Sequence, residues 1–293
     1  MAFPDATLLL IGHGSTVNGD SGATVRQHAA ALRRRGVFAD VREAFIKIEP
    51  HIGPALAACR TARVFVVPLF VSEGWFTRQA IPCELGLPAG AQDVMPCTVR
   101  LGGREVTYCH PVGTHPLMTE IILQRACAAL GGASAARHTA GIAHPETALV
   151  IAGHGTPLNR DSRQSIERQV ECLAARNLFA EVHPAFLEEE PRIADIPKFV
   201  RAPRLVVVPF FMSDGLHVCE DIPVLLGEGE ATVQARLKAG QWPWVNPTER
   251  HGKTIFYTPG VGSEPGVVEV ILERAQAAAS AAGTGLRKAT GQP

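Results

Sequence analysis

The sequence predicts an α/β protein made of two tandem, internally duplicated domains, each with a parallel central sheet flanked by helices. Three observations predict it. The chain aligns with itself at an offset of 141 residues. Leu8–Gly86 against Leu149–Gly227 gives 29 identities in 79 positions without a gap, the mark of a repeated structural unit. Short apolar runs alternate with helix-length stretches, as strands joined by crossover helices do. Runs such as Ala148-Leu-Val-Ile-Ala152 and Val206-Val-Val-Pro209 are continuous rather than alternating, which suits strands buried on both faces.

The elements follow in order. Residues 7–11 read as a strand. Asp20 or Ser21 caps a helix that runs to about Arg35 and is closed by Gly36. Val41–Phe45 is a strand, and Pro50 starts a short helix to about Cys59. Arg63–Val67 is a buried strand, and a loop with Gly74 leads to a helix near Ile81. Residues 88–104 read as loop. Val106–Cys109 is the last strand, and Pro116 opens a helix to Leu130. The second half repeats the order, with strands near 148–152, 181–186, 204–208 and 254–257 and helices near 161–176, 191–199, 221–226 and 266–279. This places one domain at 1–132, a linker rich in Gly, Ala and His at 133–146, a second domain at 147–282 and a disordered tail at 283–293.

The closing segments match at a different offset. Pro111-Val-Gly113-Thr-His-Pro116 pairs with Gly260-Val-Gly262-Ser-Glu-Pro265 at 149 residues. The eight added residues fall within 228–253, which carries Trp242-Pro-Trp244. Two rigid aromatic residues there either wall a flat ligand or pack on their own domain.

Composition excludes several classes. The chain has 28 basic and 28 acidic residues, a formal net charge of zero, so electrostatics favour neither nucleic acid nor an anionic membrane. No apolar run approaches the roughly 20 residues of a membrane span. The first residues lack the basic start of a signal peptide, and the expected location is the cytoplasm. Seven scattered cysteines form no C-x-x-C pair. They read as reduced thiols, not as a disulfide framework or an iron–sulfur site.

The candidate chemistry lies at strand ends. His154, within Gly153-His-Gly155, follows one apolar strand, and His217 follows another. In open α/β sheets the crevice outside those ends is where ligands bind. Asp221-Ile-Pro223 then reads as a helix start, with the acid as cap. Comparing the halves separates framework from chemistry. His154 pairs with His13, but Glu188 pairs with Lys47, His217 with Phe76 and Asp221 with Ala80. Two histidines and a carboxylate suit a first-row divalent metal; a histidine, a lysine and a phenylalanine do not. One metal-handling site is therefore expected, in the second half, with the first half a degenerate copy. A phosphohistidine phosphatase would need Arg before the Gly-flanked histidine. No G-x-x-x-x-G-K-[ST] loop, strand-linked G-x-G-x-x-G or G-x-S-x-G is present.

Gly153-His-Gly155, Ala185-Phe-Leu-Glu188 and Val208-Pro-Phe-Phe-Met-Ser-Asp-Gly-Leu-His217 with Asp221-Ile-Pro223 together resemble the sirohydrochlorin chelatases. These are ATP-independent class II enzymes that place cobalt, iron or nickel in tetrapyrroles. The likeness recurs once per half, so the chain resembles a long form with two fused chelatase-like domains. The resemblance implies His154 as metal ligand and base, His217 as second ligand and Glu188 as acidic partner, and it leaves the role of His13 open. It implies a lyase-class chelatase whose substrates are a divalent metal and a tetrapyrrole, with no nucleotide and no iron–sulfur cluster. The expected assembly is a monomer or weak homo-oligomer. Sirohydrochlorin is rich in carboxylates, so Arg160, Arg163 and Ser213, with Ser72 and Arg78 of the first half, are candidate substrate contacts. The rival function is a metal or tetrapyrrole carrier that kept the fold.

Overall fold

The computed structural model describes residues 2–16, 21–131, 143–156 and 160–289, with side chains as far as Ala282. Asp20 as a cap, the pairing of Asn18 with Asn159, linker residues 133–142 and tail residues 290–293 lie outside these. The elements run β1 (Phe3–Gly12), α1 (Ala23–Arg35), β2 (Phe38–Phe45), α2 (Ile52–Ala57), β3 (Arg63–Pro68), α3 (Ile81–Leu85), β4 (Cys97–Leu101), β5 (Arg104–Tyr108) and α4 (Met118–Gly131). They continue with β6 (His144–Gly153), α5 (Asp161–Ala174), β7 (Phe179–Phe186), α6 (Ile196–Phe199), β8 (Arg204–Pro209), α7 (Ile222–Leu225), α8 (Glu230–Lys238), β9 (Thr248–Arg250), β10 (Lys253–Tyr257) and α9 (Val267–Ala289).

The chain divides into two compact units, Met1–His115 with Pro265–Pro293, and Pro116–Glu264. The first holds a sheet in the order β2-β1-β3-β5-β4 and the second a sheet in the order β7-β6-β8-β10-β9. Four strands in each are parallel, as expected, because crossover helices bring every strand back in the same direction. The fifth, outside the parallel centre, is an antiparallel edge strand, β4 or β9, and β4 corrects the loop expected at 88–104. Tight turns produce both hairpins. Gly102-Gly103 and His251-Gly252 carry positive φ at both positions, the conformation that two-residue hairpins favour.

Continuous apolar strands place the core between sheet and helices. Leu8, Leu9, Leu10 and Ile11 are fully buried in β1, as are Leu149, Val150 and Ile151 in β6. Each sheet reverses its winding between its first and third strands, the switch point at which a crevice opens. The chain leaves β1 and β6 at that crevice, carrying His13 and His154.

The unit boundaries differ from those drawn on the sequence. Helix α9, from the chain's end, packs on β3, β4, β5 and α1 of the first unit, whereas α4 packs on β8, β10 and α5 of the second. Both helices are apolar on one face, and the two sheets are near copies, so either pairing satisfies the sequence pattern. Equivalent arginines anchor each helix. Arg274 donates to the Pro111 carbonyl (3.1 Å) and the Thr114 hydroxyl (2.7 Å). Arg125 donates to the Gly260 carbonyl (3.2 Å) and Ser263 Oγ (2.8 Å). Two further expectations shift. The last residues of the predicted linker, His144–Glu146, begin β6, and α9 runs past Ala282 to Ala289. Among the described residues no helix is long and apolar enough to cross a membrane.

Candidate active site

Three strand ends build the site in the second unit. β6 delivers His154 in a turn that needs glycine on both sides. Gly155 has φ +64, and a Cβ on Gly153 would stand 1.9 Å from Ile166 Cδ1. The tight turn brings the Gly155 carbonyl to 2.7 Å from His154 Nδ1. A carbonyl only accepts, so Nδ1 carries a proton, and in the neutral ring the lone pair is on Nε2. β7 delivers Glu188, whose backbone N–H donates to the His154 carbonyl at 3.1 Å. Its carboxylate Oε1 lies 3.7 Å from His154 Nε2. Ligand bonds of about 2.1 Å subtend roughly 3.4 Å at a tetrahedral metal, a spacing close to this gap.

β8 delivers His217. The loop after Pro209 enters a π-helical turn, His217–Asp221, which leads directly into α7. That turn sets the His217 ring against the His154 ring, with centroids 5.0 Å apart in a T-shaped arrangement. His217 Nδ1 is 2.6 Å from Asp221 Oδ2. Asp221 was expected to cap the following helix; its carboxylate makes no capping bond and holds the histidine instead. Tyr257, buried in β10, donates its hydroxyl to the Val218 carbonyl of the same turn at 2.6 Å.

These groups open into a cleft of about 470 Å3 lined by His154, Leu187, Glu188, His217, Glu220 and Asp221, with Val224, Leu225, Glu230, Val233 and Gln234 opposite. The last three stand on α8, inside the stretch that the first half lacks. Gln234 donates to Glu220 at 2.6 Å and ties α8 to the π turn. The cleft is thus apolar on its α7–α8 side and rich in carboxylates. His154 pairs with each of the other two candidates, yet among the described residues no three of His, Cys, Asp and Glu stand close enough to form a ready-made metal cage. The side chains of His154 and Glu188 remain 40% and 52% exposed, an arrangement open to exchange with solvent.

The first unit repeats the backbone without the chemistry. His13 Nδ1 lies 2.7 Å from the Gly14 carbonyl, and the Lys47 N–H donates to the His13 carbonyl at 2.9 Å. At the position of the His217 ring stands Phe76, edge-on to His13 at 4.8 Å. Desolvation, opposed by the Gly14 hydrogen bond and reinforced by the Lys47 charge, lowers the pKa of His13. The same backbone therefore presents two imidazoles and carboxylates in one unit, and one imidazole against a phenyl ring and an ammonium in the other.

Comparison with known proteins finds the duplication as well. The sequence profile of the CbiX family matches residues 7–129 and again residues 148–278. The chain belongs to the CbiX family. It is 37% identical over 286 residues to a probable sirohydrochlorin cobaltochelatase of Halobacterium salinarum, covering 94% of this chain and 92% of that one. It is 31% identical over 139 residues to a sirohydrochlorin cobaltochelatase of Methanocaldococcus jannaschii, which takes in 44% of this chain and 96% of that one. Among solved structures, a multi-domain protein of Deinococcus radiodurans with structural similarity to chelatases superposes with a TM-score of 0.72 at 30% identity. The match covers 92% of this chain and 54% of the other, so this chain spans about half its length. SirB from Bacillus subtilis, solved with Fe3+, shares the fold at a TM-score of 0.66 and 16% identity, covering 96% and 98% of the two chains.

The other residues singled out in this CbiX-family sequence do not gather at the cleft. Arg163 is committed to Glu167 (2.8 Å), Glu189 (3.0 Å) and the Glu190 carbonyl (2.8 Å). Arg78 is held by the Glu73 carboxylate at 2.7 Å, and the Ser72 carbonyl accepts from Thr77 Oγ1 at 3.3 Å. Arg160 is exposed ahead of α5, and Ser213 is half-buried on the loop after β8; neither lines the cleft. Trp242 and Trp244 pack on their own core, against Tyr257 at centroid distances of 5.9 and 6.0 Å. Sequence reasoning missed Asp221 as a partner of His217, and missed α8. The paired change to Phe76 and Ala80 in the first copy is the signal that marks Asp221. Helix α8 buries only Val233, so it lacks the apolar stripe that announces a helix.

Proposed function

We propose that this CbiX-family protein inserts a divalent metal ion into sirohydrochlorin or a closely related tetrapyrrole, without ATP, at the cleft of the second unit. Cobalt, iron and nickel all suit imidazole and carboxylate donors. The observation that carries the reading is the placement of His154, Glu188 and His217 on one cleft, with His154 Nε2 facing a carboxylate at 3.7 Å. The names of the relatives point to the same reaction.

Insertion exchanges one divalent cation for two pyrrole N–H protons, so charge balances without a nucleotide. His154 and His217 take the incoming metal substrate through Nε2. His154 then accepts a pyrrole proton as the metal leaves for the macrocycle, and Glu188 passes protons to solvent. The carboxylates of Glu188, Glu220, Asp221 and Glu230 favour a cation at the cleft and disfavour the carboxylates of sirohydrochlorin, which therefore point outward. The apolar residues Leu187, Val224 and Leu225 accept the macrocycle's edge. The test is an anaerobic absorption assay with sirohydrochlorin and Co2+, Fe2+ or Ni2+ in turn. Multiple turnovers with at least one metal are expected. Binding of metal or tetrapyrrole without turnover would make the protein a carrier.

A further inference from the structure

We infer that Asp221 is a positioning residue that fixes the tautomer of His217, holding the proton on Nδ1 so that the Nε2 lone pair stays available to the metal substrate. The inference deepens the metal-insertion reading, in which His217 is a ligand, and rests on it.

Geometry is the first support. Asp221 Oδ2 lies 2.6 Å from His217 Nδ1. An ionised carboxylate has no hydrogen to give, so the bond requires the proton on the imidazole. The two residues sit four apart within one π turn, whose i→i+5 bonding brings them toward one face. Both are half-exposed, at 45% and 50%, so their pairing answers no need to bury charge. The carboxylate also makes no capping bond to α7, so holding His217 is its evident use.

The duplication supplies a control. Two devices set imidazole tautomers at these strand ends and the turns that follow them, apart from carboxylate–imidazole pairs elsewhere such as His110–Glu73 and His183–Glu181. The first is the carbonyl of the following glycine, at 2.7 Å from Nδ1 in both His13 and His154. It is backbone, and both copies keep it. The second is the Asp221 side chain. In the first copy, positions 217 and 221 become Phe76 and Ala80. The acid disappears where the imidazole does, although the π turn persists as Phe76–Ala80. A residue needed for the turn would have been needed in both copies.

Three variants test the assignment, with Co2+ alone as probe, followed by its visible absorption. Asp221→Asn keeps the shape but turns a donor toward Nδ1, which drives the proton to Nε2 and removes the lone pair. It should weaken Co2+ binding about 10- to 100-fold, as loss of a ligand's carboxylate partner does. Asp221→Ala, which merely frees the tautomer, should lose less, and Asp221→Glu should recover affinity to within about threefold. In metal-insertion kinetics the same order should appear in KM for the metal, with KM for the tetrapyrrole within about twofold of the parent. Nitrogen-15 NMR of the imidazoles, assigned with His217→Gln, should show Nδ1–H in the parent and Nε2–H in Asp221→Asn. A shape-filling role predicts the reverse order, with Asn the mildest change; that order, or an unaltered tautomer in Asp221→Asn, overturns the inference. Because NMR needs no tetrapyrrole, a parent that fails to insert metal while showing the tautomer change would overturn the chelatase reading and leave this one standing.

Discussion

The hydroxyl of Tyr257 donates to the carbonyl of Val218 at 2.6 Å, inside the turn that carries His217. The first copy repeats the bond between Tyr108 and the Thr77 carbonyl at 2.6 Å. A π turn displaces the regular i→i−4 ladder and leaves a carbonyl in need of a donor, and a buried tyrosine on the adjacent strand provides one. Burial pushes the Tyr257 phenol well above its ordinary pKa, so it stays a donor throughout the working range. Tyr257→Phe should therefore cost about 1–3 kcal/mol, the penalty of an unsatisfied buried carbonyl. Denaturant titration measures it; a loss under about 0.5 kcal/mol would mean that the turn does not depend on this bond.

Gly262 should tolerate no side chain. A Cβ there would stand 2.3 Å from Met212 Cα and from the Met212 carbonyl oxygen, and backbone cannot move aside as a side chain can. Gly262→Ala should destabilise by about 3 kcal/mol, the upper end of ordinary overpacking, and lower the melting temperature by about 10 °C. The loop after β8 would shift, so metal insertion should fall as well. Calorimetry with an activity assay on the folded fraction checks both.

The two copies should respond unequally to the same change. His154→Ala and His217→Ala should each lower metal insertion by on the order of 100-fold, as loss of a ligand or base does. His13→Ala should stay within about tenfold of the parent, since Phe76 and Lys47 leave His13 no partner for a metal. Circular dichroism confirms folding. Should His13→Ala prove as damaging as His154→Ala, the first copy is no passive scaffold.

Restoring the lost set should restore metal binding. Lys47→Glu, Phe76→His and Ala80→Asp together rebuild in the first unit the groups that stand at 188, 217 and 221. Equilibrium dialysis with Co2+ should then find about one more ion per chain than the parent holds, with affinity within about 100-fold of the second-unit site. No added ion would mean that α8, which the first unit lacks, is required as well.

Cysteine reactivity should divide by burial. Burial first, then the charges of Asp214 and Glu220, push the Cys219 thiol up to about 11. Its Sγ also donates to the Asp214 carbonyl at 3.2 Å. A raised thiol pKa keeps the proton on, so at pH 8 only about one thiol in 1,000 is thiolate. Alkylation of Cys219 should be at least about 100-fold slower than that of the exposed Cys83 and Cys172. Its rate should climb about tenfold per pH unit until about 11. The native state here holds a proton that the unfolded chain gives up earlier, so this group's contribution to stability is lost as pH rises from the ordinary thiol range through about 11. Peptide mapping after timed alkylation reads the rates.

Much of the molecule was legible because its signals are local. The strands at 7–11, 63–67, 148–152 and 204–208 are short continuous apolar runs, and a run of that kind finds shelter only in a sheet covered on both faces. The antiparallel edge strands were not legible as strands. β4 is half-exposed along its length, so no apolar pattern marks it, although Gly102-Gly103 announces the hairpin turn. In sequence Asp221 reads as a cap, because an acid before Ile-Pro is a common helix start. The π turn decides otherwise, by bringing the His217 ring within reach of the carboxylate.

The amino-acid sequence by itself determined the duplication, the α/β class, the strand ends that carry His154, Glu188 and His217, and the loss of two of these from the first copy. Each follows from short-range periodicity or from position-by-position comparison of the halves. Tertiary structure alone decided which sheet each of α4 and α9 covers, that α8 walls the cleft, and that Asp221 serves His217. Two similar apolar sheets offer two similar apolar helices equivalent berths, and a polar side chain with several nearby partners goes to the one that the backbone brings closest. Those choices are made by competition between contacts in three dimensions, which no local pattern records.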